Sequence, residues 1–334
     1  MAIPPAFSTA IVPPQFLETA MLTSSTPLKA LHSDPRISYS LYIPTNHYNP
    51  DPSRALHSST RAAEASHPSY KLPKLPLIIS IHGSGRDATS CQRRLARFAD
   101  EERCAVLAPL YPAGLDDELD LDSYKVLRSK SLKADLALLD IIAEVQGRYP
   151  GFETERFFLI GFSGGAQFVQ RFLYVHPQRV IAASVGAPGR VTRLDGSLEW
   201  PRGVKAIGEV FEKELGGRGG EVRLDLLRRI RAVQMVVGEK DVEVPDEEFI
   251  EWVEKMSVRR SSGEDGKRML GLEPMRATRV ETLRKLHQEW SDLGIETRFE
   301  IVNGVGHDSK GIHPAVEAFL RPQLREWWES REGA

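Results

Sequence analysis

The stretch Phe157-Phe158-Leu159-Ile160-Gly161-Phe162-Ser163-Gly164-Gly165-Ala166-Gln167-Phe168 constrains this chain more than any other. An apolar run enters G-x-S-x-G, and a helical pattern with apolar residues at Phe168, Val169, Phe172 and Leu173 leaves it. A strand that turns at once into a helix has no room for side chains at the turn. Glycines therefore flank the serine, and the serine itself must take a strained backbone. Ser163 would then stand proud of the sheet, with the positive end of a helix dipole and the free Gly164 N–H beneath it. In that context Ser163 is a candidate nucleophile rather than part of an ordinary glycine turn.

The rest of the chain supplies a frame for such a turn. Ile37 to Ile43 alternates apolar and polar residues, the pattern of a strand with one buried face. Leu77 to Ile81, Cys104 to Pro109, Val180 to Val185 and Val233 to Val237 are short, nearly continuous apolar runs. Such runs fit parallel strands buried on both faces. Helical patterns are expected from about Cys91 to Glu102, Ser131 to Tyr149, Phe249 to Met256, Glu281 to Leu293 and Val316 to Trp327. Thr297 to Val302 reads as the last strand. Strand and helix alternating at these lengths imply right-handed crossovers and a mostly parallel, doubly wound α/β sheet flanked by helices. Residues 1–35, punctuated by Pro4, Pro5, Pro13 and Pro14, read as an irregular arm. The catalytic domain is expected over 36–330. Within it, a small cap is expected over about 187–227 and a charged surface insertion over about 257–277.

Composition excludes several classes. The 44 Lys and Arg against 46 Asp and Glu leave a net charge of −2, with no sign of a nucleic-acid surface or a polybasic anchor. Cys91 and Cys104 are too few for a disulfide framework or a cysteine-rich metal site. H-E-x-x-H is absent, so neither a metal nor another cofactor is implied. No apolar run approaches the ~18 residues of a membrane span, and the start lacks a basic region followed by an unbroken apolar one. A cytoplasmic protein is expected. A homo-oligomer is compatible with the apolar arm, which could exchange between subunits.

A serine hydroxyl needs a base, and the base needs an orienting carboxylate. On a doubly wound sheet these groups gather at the carboxyl ends of strands. Three such ends carry Ser163, Asp241 and His307, in that chain order. His307 lies in a glycine-rich loop, with His313 as reserve. Glu239 and Asp246 are rivals to Asp241, whose alternative role is to cap the next helix. The oxyanion of acyl transfer calls for two backbone donors: Gly164, and one from His82-Gly83-Ser84-Gly85, assigned to Ser84 with Gly85 as the other option. Phe162, Tyr111, Trp200 and Gln167 are candidates for lining a substrate pocket, though packing explains each equally well. Arg86 is a candidate to recognise a carboxylate.

From about Ile37 to the final helix the sequence resembles the α/β-hydrolase superfamily. Three stretches are similar to its polyhydroxybutyrate-depolymerase-like and feruloyl-esterase-like branch. They are Ile81-His82-Gly83-Ser84-Gly85, Gly161-Phe162-Ser163-Gly164-Gly165-Ala166-Gln167 and Val237-Gly238-Glu239-Lys240-Asp241. The resemblance implies a serine carboxylic-ester hydrolase with Ser163 as nucleophile, His307 as base and Asp241 as orienting acid. The unusual arm and the long segment between Asp241 and His307 depart from that branch. They favour a small soluble ester, thioester or lactone over a polymer. Two alternatives remain: the same triad used for acyl transfer, cyclisation or carbon–carbon cleavage, and a non-catalytic ligand-binding protein.

Overall fold

The structure, a computed structural model, describes residues 7–54, 67–118, 120–244, 248, 251 and 277–332. Nine strands form one sheet: β1 (Ser24–Ser25), β2 (Lys29–Ala30), β3 (Ser38–Ile43), β4 (Leu75–Ile81), β5 (Ala105–Leu110), β6 (Phe152–Phe162), β7 (Val180–Gly186), β8 (Ala232–Gly238) and β9 (Arg298–Val302). Their order is β1-β3-β5-β4-β6-β7-β8-β9, with β2 also on β3. From β5 to β9 every pairing is parallel, whereas β3 meets β5 antiparallel. The buried middle strands are wholly apolar or nearly so because helices cover both faces.

The helices long enough to pack on this sheet are α1 (Ala88–Arg94), α2 (Ala96–Glu102), α3 (Ala134–Arg148), α4 (Gly164–Val175), α5 (Arg279–Asp292) and α6 (Ser309–Glu332). The chain steps one way from β4 to β5 and the opposite way from β5 through β6, β7, β8 and β9. Right-handed crossovers then put α1 and α2 on one face and α3, α4 and α5 on the other. The closing helix α6 returns to the first face, against α2, β7 and β8.

Several boundaries differ from those read in the sequence, each for a local reason. The strand β6 starts at Phe152, five residues before the apolar run. A register shift against β4 lets it keep Glu155 and Arg156 exposed. The helix expected from Cys91 to Glu102 is two helices, interrupted at Leu95, which itself is fully buried. The closing helix begins at Ser309 rather than after Pro314, and passes through both Pro314 and Pro322. Each proline removes one backbone bond. The buried stripe of Ile312, Val316, Phe319, Leu320, Leu324, Trp327 and Trp328 holds the helix together regardless. The amino-terminal segment carries β1 and β2 and short 3-10 turns, and is fastened to β3 by the two strand pairings.

Residues 187–227 are tied down rather than loose. The Trp200 indole donates to the Val126 carbonyl at 2.9 Å and its ring stands edge-on to Phe211. Arg128 bridges this segment to the helix layer through Glu214 at 2.7 Å and Asp135 at 2.8 Å. Asp246, most of the helix expected at Phe249 to Met256, and the expected insertion up to residue 276 lie outside the described residues.

Candidate active site

The turn between β6 and α4 is built as its glycines require. A β-carbon on Gly161 would overlap the backbone of Gly165, and one on Gly165 would overlap the carbonyl of Ile81 in the neighbouring strand. Two bare backbones can therefore cross where side chains would separate them. Ser163 between them has φ 54° and ψ −115°, a strained conformation for a residue with a β-carbon. Its N–H is held by the Gly186 carbonyl at 2.8 Å.

The three residues from separate strand ends meet here. Ser163 Oγ lies 3.1 Å from His307 Nε2, and His307 Nδ1 lies 2.7 Å from Asp241 Oδ2. An ionised carboxylate can only accept, so Nδ1 carries the imidazole proton and Nε2 is left to accept from the serine hydroxyl. The loops bearing His307 and Asp241 are stitched together by two backbone bonds: Glu239 N–H to the Val302 carbonyl and Lys240 N–H to the Val305 carbonyl. The Phe162 ring backs the imidazole with centroids 4.8 Å apart.

Glu239 and His313, rivals for the acid and the base, are placed elsewhere. Glu239 accepts from the Gly304 N–H, and His313 faces Glu317 along α6 at 3.1 Å. One participant was missed from the sequence. Arg279, the first residue of α5, donates to Asp241 Oδ1 at 2.9 Å, so both oxygens of this fully buried carboxylate are engaged. Its one sequence signal is the Thr278…Glu281 capping box, which fixes where α5 starts and hence where Arg279 points.

Beside the serine, the Ser84 nitrogen stands 3.1 Å from where a β-carbon on Gly164 would be. The two amides proposed as oxyanion donors therefore come from adjacent backbone. Of the four pocket candidates, Phe162 borders a cavity of 220 Å³ that is also walled by Ile81, Gly83, Gly186, Ile312 and Val316. Tyr111 and Trp200 do not line that cavity. Tyr111 is wholly buried with its hydroxyl on the Ala134 carbonyl, and Trp200 is spent on Val126 and Phe211 as above. Gln167 is buried and accepts from Arg171 at 3.2 Å. Among the described residues no group of three His, Cys, Asp or Glu is placed to hold a metal ion, and no helix is long and apolar enough to cross a membrane.

His82 braces the loop that carries Gly83 and Ser84. Its Nδ1 donates to the Gly83 carbonyl at 2.8 Å, so its Nε2 is unprotonated and accepts the Tyr111 N–H at 3.0 Å. Burial pushes its pKa down to about 4. A histidine neutral in the folded state but titrating near 6.5 when unfolded stabilises the fold fully above about pH 6.5. That contribution is lost as pH falls toward 4. Thermal unfolding is expected to show a steep loss of stability over this interval, and a His82→Gln variant that still folds should lack that component.

No known family profile matches the chain, and no curated relative does. Solved structures do. A poly(3-hydroxybutyrate) depolymerase of Bordetella parapertussis superposes with a TM-score of 0.58 at 17% identity, covering 95% of each chain. A poly(aspartic acid) hydrolase of Sphingomonas sp. KT-1 gives 0.53 at 15%, over 84% of this chain and 92% of its own. An S-formylglutathione hydrolase of Agrobacterium tumefaciens gives 0.52 at 13%, over 90% and 99%. This chain has the α/β-hydrolase fold. In the α/β-hydrolase frame the serine follows the central strand, the acid follows β8 and the histidine follows β9.

Proposed function

We propose that this protein is a serine hydrolase that cleaves a carboxylic ester, thioester or lactone of a small soluble substrate through an acyl-enzyme. The observation that carries this reading is the unbroken hydrogen-bonded chain from Ser163 through His307 to Asp241 at a strained strand-to-helix turn. His307 takes the Ser163 proton as Oγ attacks the carbonyl, and gives it to the leaving alkoxide as the tetrahedral intermediate collapses. Water then enters, His307 takes its proton, and the acid leaves. Asp241, itself anchored by Arg279, holds the imidazole tautomer and stabilises the imidazolium. The Gly164 and Ser84 N–H groups receive the oxyanion, each donor worth about 2.7–4 kcal/mol in comparable sites. The fold shared with solved ester hydrolases supports the reaction class, and the modest cavity beside Phe162 supports a small substrate.

Intact-mass spectrometry after a fluorophosphonate probe tests the reading. The wild type is expected to gain one adduct, and Ser163→Ala none. A folded wild type that stays unlabelled, or a Ser163→Ala protein that labels as well as wild type, would refute it.

A further inference from the structure

The mechanism above leaves unused a group of cations on the oxyanion side of Ser163. Lys125 is buried, and its Cε stands 2.9 Å from the place a β-carbon on Gly164 would occupy, closer than the Ser84 nitrogen. Its ammonium bonds Asp122 at 2.7 Å, and Arg190 bonds the other oxygen of the same carboxylate at 2.9 Å. Arg86 lies over the Tyr124 ring, with its guanidinium on the carbonyls of Ser84 at 2.7 Å and Leu121 at 3.1 Å. Beneath them the buried Arg171 is held by neutral acceptors: the Lys125 carbonyl, Thr192 Oγ1 and Gln167 Oε1. Asp120, the next acid along the loop, turns its carboxylate to the N–H groups of Asp122 and Ser123.

Asp122 thus serves two cations at once, with two more close by, and the N-terminal end of α4 adds to the positive potential. The cations sense one another. Burial lowers the Lys125 pKa, and Arg190 and Arg86 lower it further against the pull of Asp122. A surplus of positive charge held partly out of water beside a reaction centre is costly unless an anion joins it. The oxyanion is transient and already has its backbone donors.

We infer that Lys125, Arg190 and Arg86 form a subsite for a carboxylate carried by the substrate a few bonds from the scissile carbonyl. This rests on the hydrolase reading. It narrows the substrate to a half-ester of a short dicarboxylic acid, or to the ester of a short hydroxy acid. A charge-assisted contact with a partly desolvated cation favours the anionic substrate by about tenfold or more in kcat/KM.

The test compares isosteric pairs by pH-stat on the full chain. On the acyl side, monomethyl succinate is set against methyl 4-oxopentanoate. On the alcohol side, acetoxyacetate is set against acetoxyacetone. The carboxylated member of at least one pair is expected to be the better substrate, and which pair responds assigns the side. The preference should shrink as salt rises from about 0.01 to 1 M, because the screening length falls from about 30 to 3 Å. Arg190→Gln, at a partly exposed position, should reduce the ratio toward one, and Lys125→Met should do so more strongly. Fluorophosphonate labelling reports whether each variant keeps its reactive serine, so a Lys125→Met protein that misfolds leaves Arg190→Gln to decide. Ratios at or below one on both sides in a wild type that labels overturn the subsite and leave the hydrolase reading intact. Loss of labelling in the folded wild type overturns both.

Discussion

Replacing His307 with alanine is expected to lower kcat toward a small ester by about 10⁶-fold, and Asp241→Asn by about 10⁴-fold. The difference follows from what each residue does. Without His307 the hydrogen-bond partner of Ser163 Oγ is gone, and the other histidine weighed for the role, His313, is turned toward Glu317. With asparagine at 241 the imidazole can remain in place, but its proton is no longer fixed on Nδ1. Both neighbours of that side chain, the His307 N–H and the Arg279 guanidinium, are donors, so the amide satisfies one and opposes the other. Steady-state kinetics on both variants check this. A His307→Ala enzyme within tenfold of wild type would remove the histidine from the mechanism. An Asp241→Asn enzyme within tenfold would show that the loop bonds alone orient the ring.

Gly165→Ala is expected to destabilise the protein by about 3 kcal/mol or more, although alanine is otherwise the better helix former. The added carbon would meet the carbonyl oxygens of Ile81 and His82 and the Ile81 carbonyl carbon, all of them backbone. A flexible side chain could swing away; a strand at the middle of the sheet cannot. For a chain of 334 residues the loss corresponds to a melting temperature lower by roughly 4 °C or more. Gly147→Ala, in α3 with nothing near the new carbon, is the matched control and should not destabilise. Equal melting temperatures for the two variants would show that the turn tolerates a wider crossing.

The parallel sheet was legible because its strands are short apolar runs spaced by amphipathic helices. So were the three residues that meet at the turn, because each follows a strand that the topology brings to the same edge. What the sequence concealed came from long-range fit. Tyr111 looked available for ligand contact because it closes a strand, but the chain folds α3 over it and leaves its hydroxyl on Ala134. Arg279 is 38 residues from Asp241, and nothing local announces that the start of a helix will face that carboxylate. Nothing near Lys125 in the sequence announces that its side chain will lie beside Gly164, because only the fold brings the two together. Pro314 locally signals a helix start, while the buried stripe carries α6 back through it to Ser309 in the folded chain.

The contacts at the serine join positions 163, 241 and 307, and the last belongs to the loop after the outermost strand on that side. A chain growing from its amino terminus completes the turn around Ser163 while β8 and β9 have yet to be made. Until β9 docks, the serine hydroxyl lacks its His307 partner. On the proposed function, hydrolytic competence is therefore acquired at the end of synthesis and lost with the first fraying of that edge. In a refolding or partial-unfolding experiment, turnover would report the docking of the last strand and final helix, while the sheet's far side could already be formed, or still be intact, in a silent protein.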